Sequence, residues 1–123
     1  MQIKVNQLLL TGAALASLGG LAKAEVSFKK QVQPVLASAC LSCHGEKNDK
    51  GELRLHTQEG LLEGSEYGKV VVPGKPEKSS LYTSTVLLPD DDDIMPPKGE
   101  PLTIDQANVL KEWIAAGAKW PEG

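Results

Sequence analysis

Three side chains are spaced to do chemistry together. Cys40, Cys43 and His44 lie in the run Ala39-Cys40-Leu41-Ser42-Cys43-His44-Gly45, and the chain has 2 cysteines in all. A C-x-x-C-H spacing reads as a covalent attachment site for c-type haem. Two thiols three residues apart share one side of a helical turn, so both can reach the vinyl groups of one porphyrin. The adjacent imidazole then lies beneath the ring, where it can bind the iron. Three rival readings remain open: a redox-active dithiol, half of a zinc site, and a structural disulfide. Zinc needs about four ligands, and only His44 and His56 could join the two thiols. A redox dithiol expects a βαβ setting that the flanking sequence lacks. A plain disulfide does not call for the neighbouring histidine.

An iron that carries electrons ordinarily takes a second axial ligand, most often Met or His. Beyond residue 24 the choice is between Met95 and His56. Met95 stands in Asp93-Ile94-Met95-Pro96-Pro97, an irregular stretch that two prolines stiffen, where a thioether can be held at a haem face. The plain alternative is a gap-filling loop methionine. His56 lies in a polar stretch and is expected to face solvent. His/Met ligation raises the reduction potential, and a six-coordinate iron leaves no open site for oxygen or peroxide chemistry.

The elements that must position these residues are helical. Ser27 caps a segment in which Phe28, Val32, Val35, Leu36 and Ala39 recur at helical spacing. Pro34 predicts a kink, or a helix beginning near Gln33. Cys40 and Cys43 are expected on the last turn, with Gly45 as a left-handed terminator. Thr57 caps a short helix through Leu62. Val70-Val71-Val72 runs into a Pro73-Gly74 turn. Pro76 to Val86 predicts another short helix with Leu81 and Tyr82 inward, and Leu88 to Leu102 a loop with four prolines. Thr103 and Gln106 form a capping box for the last helix. Its apolar stripe is Ile104, Ala107, Val109 or Leu110, Trp113 and Ile114, and Gly117 closes it.

Residues 1–24 read as a cleaved secretory signal peptide: Lys4 at the start, an apolar stretch from Leu8 to Leu21, and the cleavage site Ala22-Lys23-Ala24. The runner-up is an uncleaved anchor. Cleavage leaves one 99-residue domain, 25–123, with no second apolar segment. Without Lys4 and Lys23 it carries 11 basic and 16 acidic residues. That acidic balance argues against nucleic acid and suits partners with basic docking surfaces. A core with 2 Trp, 2 Tyr and 1 Phe is thin, and a buried haem would supply a large apolar body for it to pack on. Arg54 is the one arginine, a candidate bidentate partner for a haem propionate or an ordinary surface cation. Tyr67, Tyr82, Trp113 and Trp120 are candidates for the pocket lining, with core packing as the alternative. The run Asp90 to Asp93 reads as a solvated charge cluster, a docking patch or a calcium site without EF-hand spacing.

The ordered series resembles class I cytochromes c, and more closely the planctomycete-type cytochrome c domain, from about Phe28 to Pro121. Its carriers are Phe28, Val32 and Pro34-Val35-Leu36; Cys40-Leu41-Ser42-Cys43-His44-Gly45; Lys50-Gly51-Glu52-Leu53-Arg54-Leu55; Val71-Val72-Pro73-Gly74; Ser80-Leu81-Tyr82; Met95-Pro96-Pro97-Lys98-Gly99; Pro101-Leu102-Thr103; and Trp113-Ile114-Ala115-Ala116-Gly117-Ala118. The resemblance implies an all-α, class I cytochrome c-like fold of 3–5 helices around one covalent haem c. It implies Cys40 and Cys43 as thioether anchors, and His44 and Met95 as axial iron ligands. The terminal helices are expected to cross, with the small residues Ala115 to Ala118 permitting close approach. One departure is that no proline lies between His44 and Pro73, where many such proteins supply the carbonyl that accepts the imidazole N–H.

These readings converge on a soluble periplasmic monohaem cytochrome that carries single electrons between redox proteins and is not itself an enzyme. Two alternatives are an electron-accepting haem subunit of a larger dehydrogenase or oxidase, and a ligand-binding or sensing haem protein if Met95 is not a stable ligand. A third is a haem-free thiol protein.

Overall fold

A computed structural model describes residues 26–121. The predicted signal peptide at 1–24 therefore lies outside the described residues. The described residues are helical, with four α-helices among them: α1 (Gln33–Ala39), α2 (Gln58–Glu63), α3 (Ser80–Thr83) and α4 (Ile104–Ala115). Among the described residues the only β-type pairings are two isolated bridges, His44 with Asp49 and Ser65 with Gly68.

The first helical segment opens as a π turn over Phe28–Val32 before tightening into α1. Proline explains the change of pitch. Pro34 has no N–H to give and its ring crowds the carbonyl four residues back, so the turn before it widens. The N–H of Val32 accordingly reaches Ser27 O at 3.2 Å, and that of Gln33 reaches Phe28 O. Ser27 caps the turn as predicted, accepting from Lys30 N–H.

Thr57 caps α2 by accepting from Gly60 N–H at 3.0 Å. Thr103 and Gln106 form the reciprocal capping box of α4. At the far end of α4, Gly117 (φ 110°) donates to Ile114 O and Ala118 to Trp113 O. That pair of bonds is a Schellman closure, and glycine supplies the positive φ that it needs.

The segment Pro76 to Val86 is three short pieces, not the single predicted helix: 3₁₀ turns over Pro76–Lys78 and Ser84–Val86 flank α3. The break falls at Ser79, which is fully buried and engaged elsewhere. Its hydroxyl accepts from Val72 N–H (2.8 Å) and donates to Lys75 O (2.9 Å). This clamps the Pro73-Gly74 turn onto α3. Gly74 N–H in turn bonds Ile114 O at 2.7 Å, tying the turn to α4.

One apolar core runs through the molecule. Val32, Leu36, Leu55, Leu61, Leu110 and Ile114 are its least exposed members. On α4, Leu110 and not Val109 is fully buried, and Ile104 projects into solvent at the helix start. The π turn meets α4, but through large side chains: Phe28 packs at a tilt of 45° and 40° against Trp113 and Trp120, with ring centroids 5.6 and 4.4 Å away. Of the small residues expected to allow close approach, Ala115 and Ala116 are exposed while Ala118 packs on the core beside this aromatic contact.

Candidate haem site

α1 ends at Ala39, immediately before the motif, with Cys40 as its C-cap. Cys40 still donates to Leu36 O, but its φ of −121° has left the helix. A separate turn follows, in which the N–H groups of Cys43 and His44 both bond Cys40 O at 3.2 and 2.9 Å. The predicted placement on the last turn of the helix is thus corrected: Cys40 is the C-cap, and Cys43 lies in the turn that follows. The i, i+3 relation between the thiols is kept.

Backbone bonds pin this turn from three sides. Cys43 O accepts from Lys50 N–H (3.0 Å), His44 O from Leu55 N–H (2.8 Å), and Ser42 O from Asn48 Nδ2 (3.0 Å). Gly45 does not take the left-handed conformation expected of it. It is required for a different reason: a Cβ there would collide with the Leu41 carbonyl oxygen.

Both cysteines are free thiols. Burial, and secondarily the neighbouring Cys43, push the Cys40 thiol up to about 11. A buried thiol held neutral is a poor candidate for a reactive redox dithiol, which needs an accessible thiolate. The zinc reading also lacks support, because among the described residues no three His, Cys, Asp or Glu side chains gather as a metal-binding group. The same fact leaves Asp90 to Asp93 without a cation cage.

The aspartate run instead shapes the methionine loop. Asp93 N–H bonds Asp91 Oδ1 (2.8 Å) and Ile94 N–H bonds Asp91 O (3.2 Å), an Asx-type turn that folds the chain back. Ile94 is buried beyond it, and Met95 N–H is held by Ser84 O at 3.0 Å. Met95 follows on the rim, 37% exposed.

Cys40, Cys43, His44 and Met95 all line one cavity of about 780 Å³. That lies within the roughly 300–1,000 Å³ typical of pockets for cofactor-sized ligands. Leu53, Leu55, Val70, Leu81 and Leu102 give it apolar walls. The His44 ring makes no hydrogen bond, and its Nδ1 is buried without a partner. An imidazole so placed, facing a cavity shared with two thiols and a thioether, fits a haem and its iron. The unpartnered Nδ1 also matches the missing proline carbonyl.

The remaining sequence candidates separate. His56 is half-buried, not solvent-facing as expected, yet it is absent from the cavity lining. Arg54 also stands outside that lining, with its guanidinium on Asp49 Oδ2 at 3.2 Å. Tyr67 lines the cavity mouth and is 89% exposed. Tyr82 packs on the core, while Trp113 and Trp120 line a separate cleft with Phe28. The lysines Lys50 and Lys98, to which the sequence alone assigned no role, also line the cavity.

Residues 40–99 match the family model described as Planctomycete cytochrome C. No curated protein and no solved structure matches the chain. The matched span runs from Cys40 to Gly99, four residues past Met95, and so contains both thiols, His44 and Met95. A domain of that family brings covalently bound haem with iron, and suggests an electron-transfer role. The chain therefore carries a planctomycete-type cytochrome c domain.

Proposed function

We propose that this chain is an exported monohaem cytochrome c that carries single electrons between redox proteins. The observation that supports it best is the shared cavity: both thiols, His44 and Met95 line it, and His56 does not. Bound haem would supply the Fe(III)/Fe(II) couple. Cys40 and Cys43 would hold it through thioether bonds, with His44 and Met95 as its axial ligands. The leucine and valine walls would keep water from such a group, which would favour its less charged reduced state. Held by these residues, it would exchange electrons without a substrate bond being made or broken.

Export to the periplasm rests on residues 1–24, and among the described residues no helix is long and apolar enough to cross a membrane. The partners on this reading are redox proteins with basic docking surfaces, which would meet the exposed Asp90 to Asp93 turn. Leu88, 73% exposed, stands beside that turn and offers an apolar contact.

The test is expression with a cytochrome c maturation system. Covalent haem on a denaturing gel, with a c-type spectrum and the weak sulfur-to-iron band in the oxidised form, is the expected result. Covalent haem without that band would remove Met95 from the iron and favour ligand binding. No haem at all would refute the proposal.

A further inference from the structure

Two lysines stand in the cavity wall, and the proposed function gives neither a task. Lys50 opens the 3₁₀ turn Lys50–Glu52, and its N–H is bonded to Cys43 O at 3.0 Å, so it is tied directly to the attachment turn. Lys98 follows Met95 by three residues, in the loop that carries the sulfur. Each cation therefore comes from the segment that supplies one axial ligand. Neither side chain makes an ion pair or hydrogen bond among the described residues. Arg54, by contrast, is paired with Asp49 and stands outside the cavity.

A haem brings two propionates, both ionised at neutral pH. A carboxylate carried against apolar walls needs a cation or hydrogen-bond donors. The lining holds Glu100 as its one acidic residue, so the two lysines are its only permanent cations. We infer that Lys50 and Lys98 are the haem-propionate partners of this chain, in the role the sequence suggests for Arg54. The assignment rests on the proposed function, since it needs a haem in this cavity. It has a redox consequence: an ammonium beside each propionate offsets negative charge near the iron and so favours Fe(II).

The test uses the haem-loaded protein with Lys50→Gln, Lys98→Gln, both together, their arginine counterparts, Arg54→Gln, and Lys111→Gln as an exposed control on α4. Covalent haem is confirmed on a gel for each. Resonance Raman then reads the propionate bending modes, and a redox titration reads the potential. The modes are expected to shift in K50Q and K98Q, to return in the arginine variants, and to stay put in K111Q. The potential should fall more in the two cavity variants than in K111Q. In the unmutated holoprotein, acetylation of Lys50 and Lys98 should run several-fold slower than that of Lys111, which covers the case of a variant that fails to mature. Covalent haem with modes unchanged in K50Q and K98Q, modes that move in R54Q instead, or equal acetylation of all three lysines would each overturn the assignment and leave the cytochrome reading standing. An unmutated chain that takes up no haem would overturn both.

Discussion

Replacing Ser79 with alanine should destabilise the haem-loaded protein by about 2 kcal/mol. Ser79 is 0% exposed, and its hydroxyl serves two backbone groups seven and four residues upstream. Removing it strands the N–H of half-buried Val72, at a cost of about 1–3 kcal/mol for an unsatisfied buried donor. The Lys75 carbonyl belongs to an exposed residue and is recovered by water, so it adds little. For a domain of about 100 residues, 1 kcal/mol moves Tm by roughly 4–8 °C, so the expected fall is about 10 °C. The assay is thermal unfolding followed by far-ultraviolet circular dichroism, with Ser80→Ala as control. Ser80 is exposed and its hydroxyl makes no hydrogen bond, so its variant should stay within about 0.5 kcal/mol of the parent. The haem spectrum should be unchanged in S79A, because Ser79 lies outside the cavity lining. If S79A unfolds with S80A, the hydroxyl clamp carries no stability and the reasoning fails.

Three further outcomes are expected. Met95→Ala should give a holoprotein that binds CO readily and lacks the sulfur-to-iron band, while His56→Ala should leave the spectrum as it was; CO binding equal in parent and M95A would show that the sulfur is no ligand. In the haem-free chain, Cys40 alkylation should climb about tenfold per pH unit, from neutral pH up to a midpoint of about 11, because the thiolate is the reactive form. The sign for stability follows: folding favours the protonated thiol, so this contribution is whole below pH 9.0 and is lost as pH rises towards 11; a midpoint at 9.0 would mean that the thiol is not buried. Thr103→Ala should remove the capping box of α4 and lower stability by about 1 kcal/mol in denaturant titration, and an unchanged midpoint would show that packing alone holds that helix start.

Local signals carried much of this molecule. The C-x-x-C-H spacing, the proline-stiffened methionine loop, the caps at Thr57 and Thr103 and the closure at Gly117 each depend on residues within a few positions of one another, and each is readable without a fold. The failures share the opposite property. Ser79 serves partners up to seven residues away through a turn that no local pattern announces. Gly45 looked like a helix terminator because glycine so often is one, but the determinant was crowding by the Leu41 carbonyl. Arg54 pairs with Asp49, five residues back and outside the cavity lining, a placement that its being the sole guanidinium does not announce. Pro34 announced a disturbance in the first helix but not its form, since a widened turn and a break have the same local cause.

The Phe28 contact with Trp113 and Trp120 also bears on how this chain reaches its fold. Both sides of that contact lie outside the span 40–99 that carries Cys40, Cys43, His44 and Met95. Contacts between residues so distant in sequence close a long loop, and loop closure of this kind slows folding relative to local helix formation. The attachment turn, held by bonds among residues 36 to 55, can form earlier and on its own. The aromatic contact can therefore close last, latching the flanking segments together over a turn that has already formed.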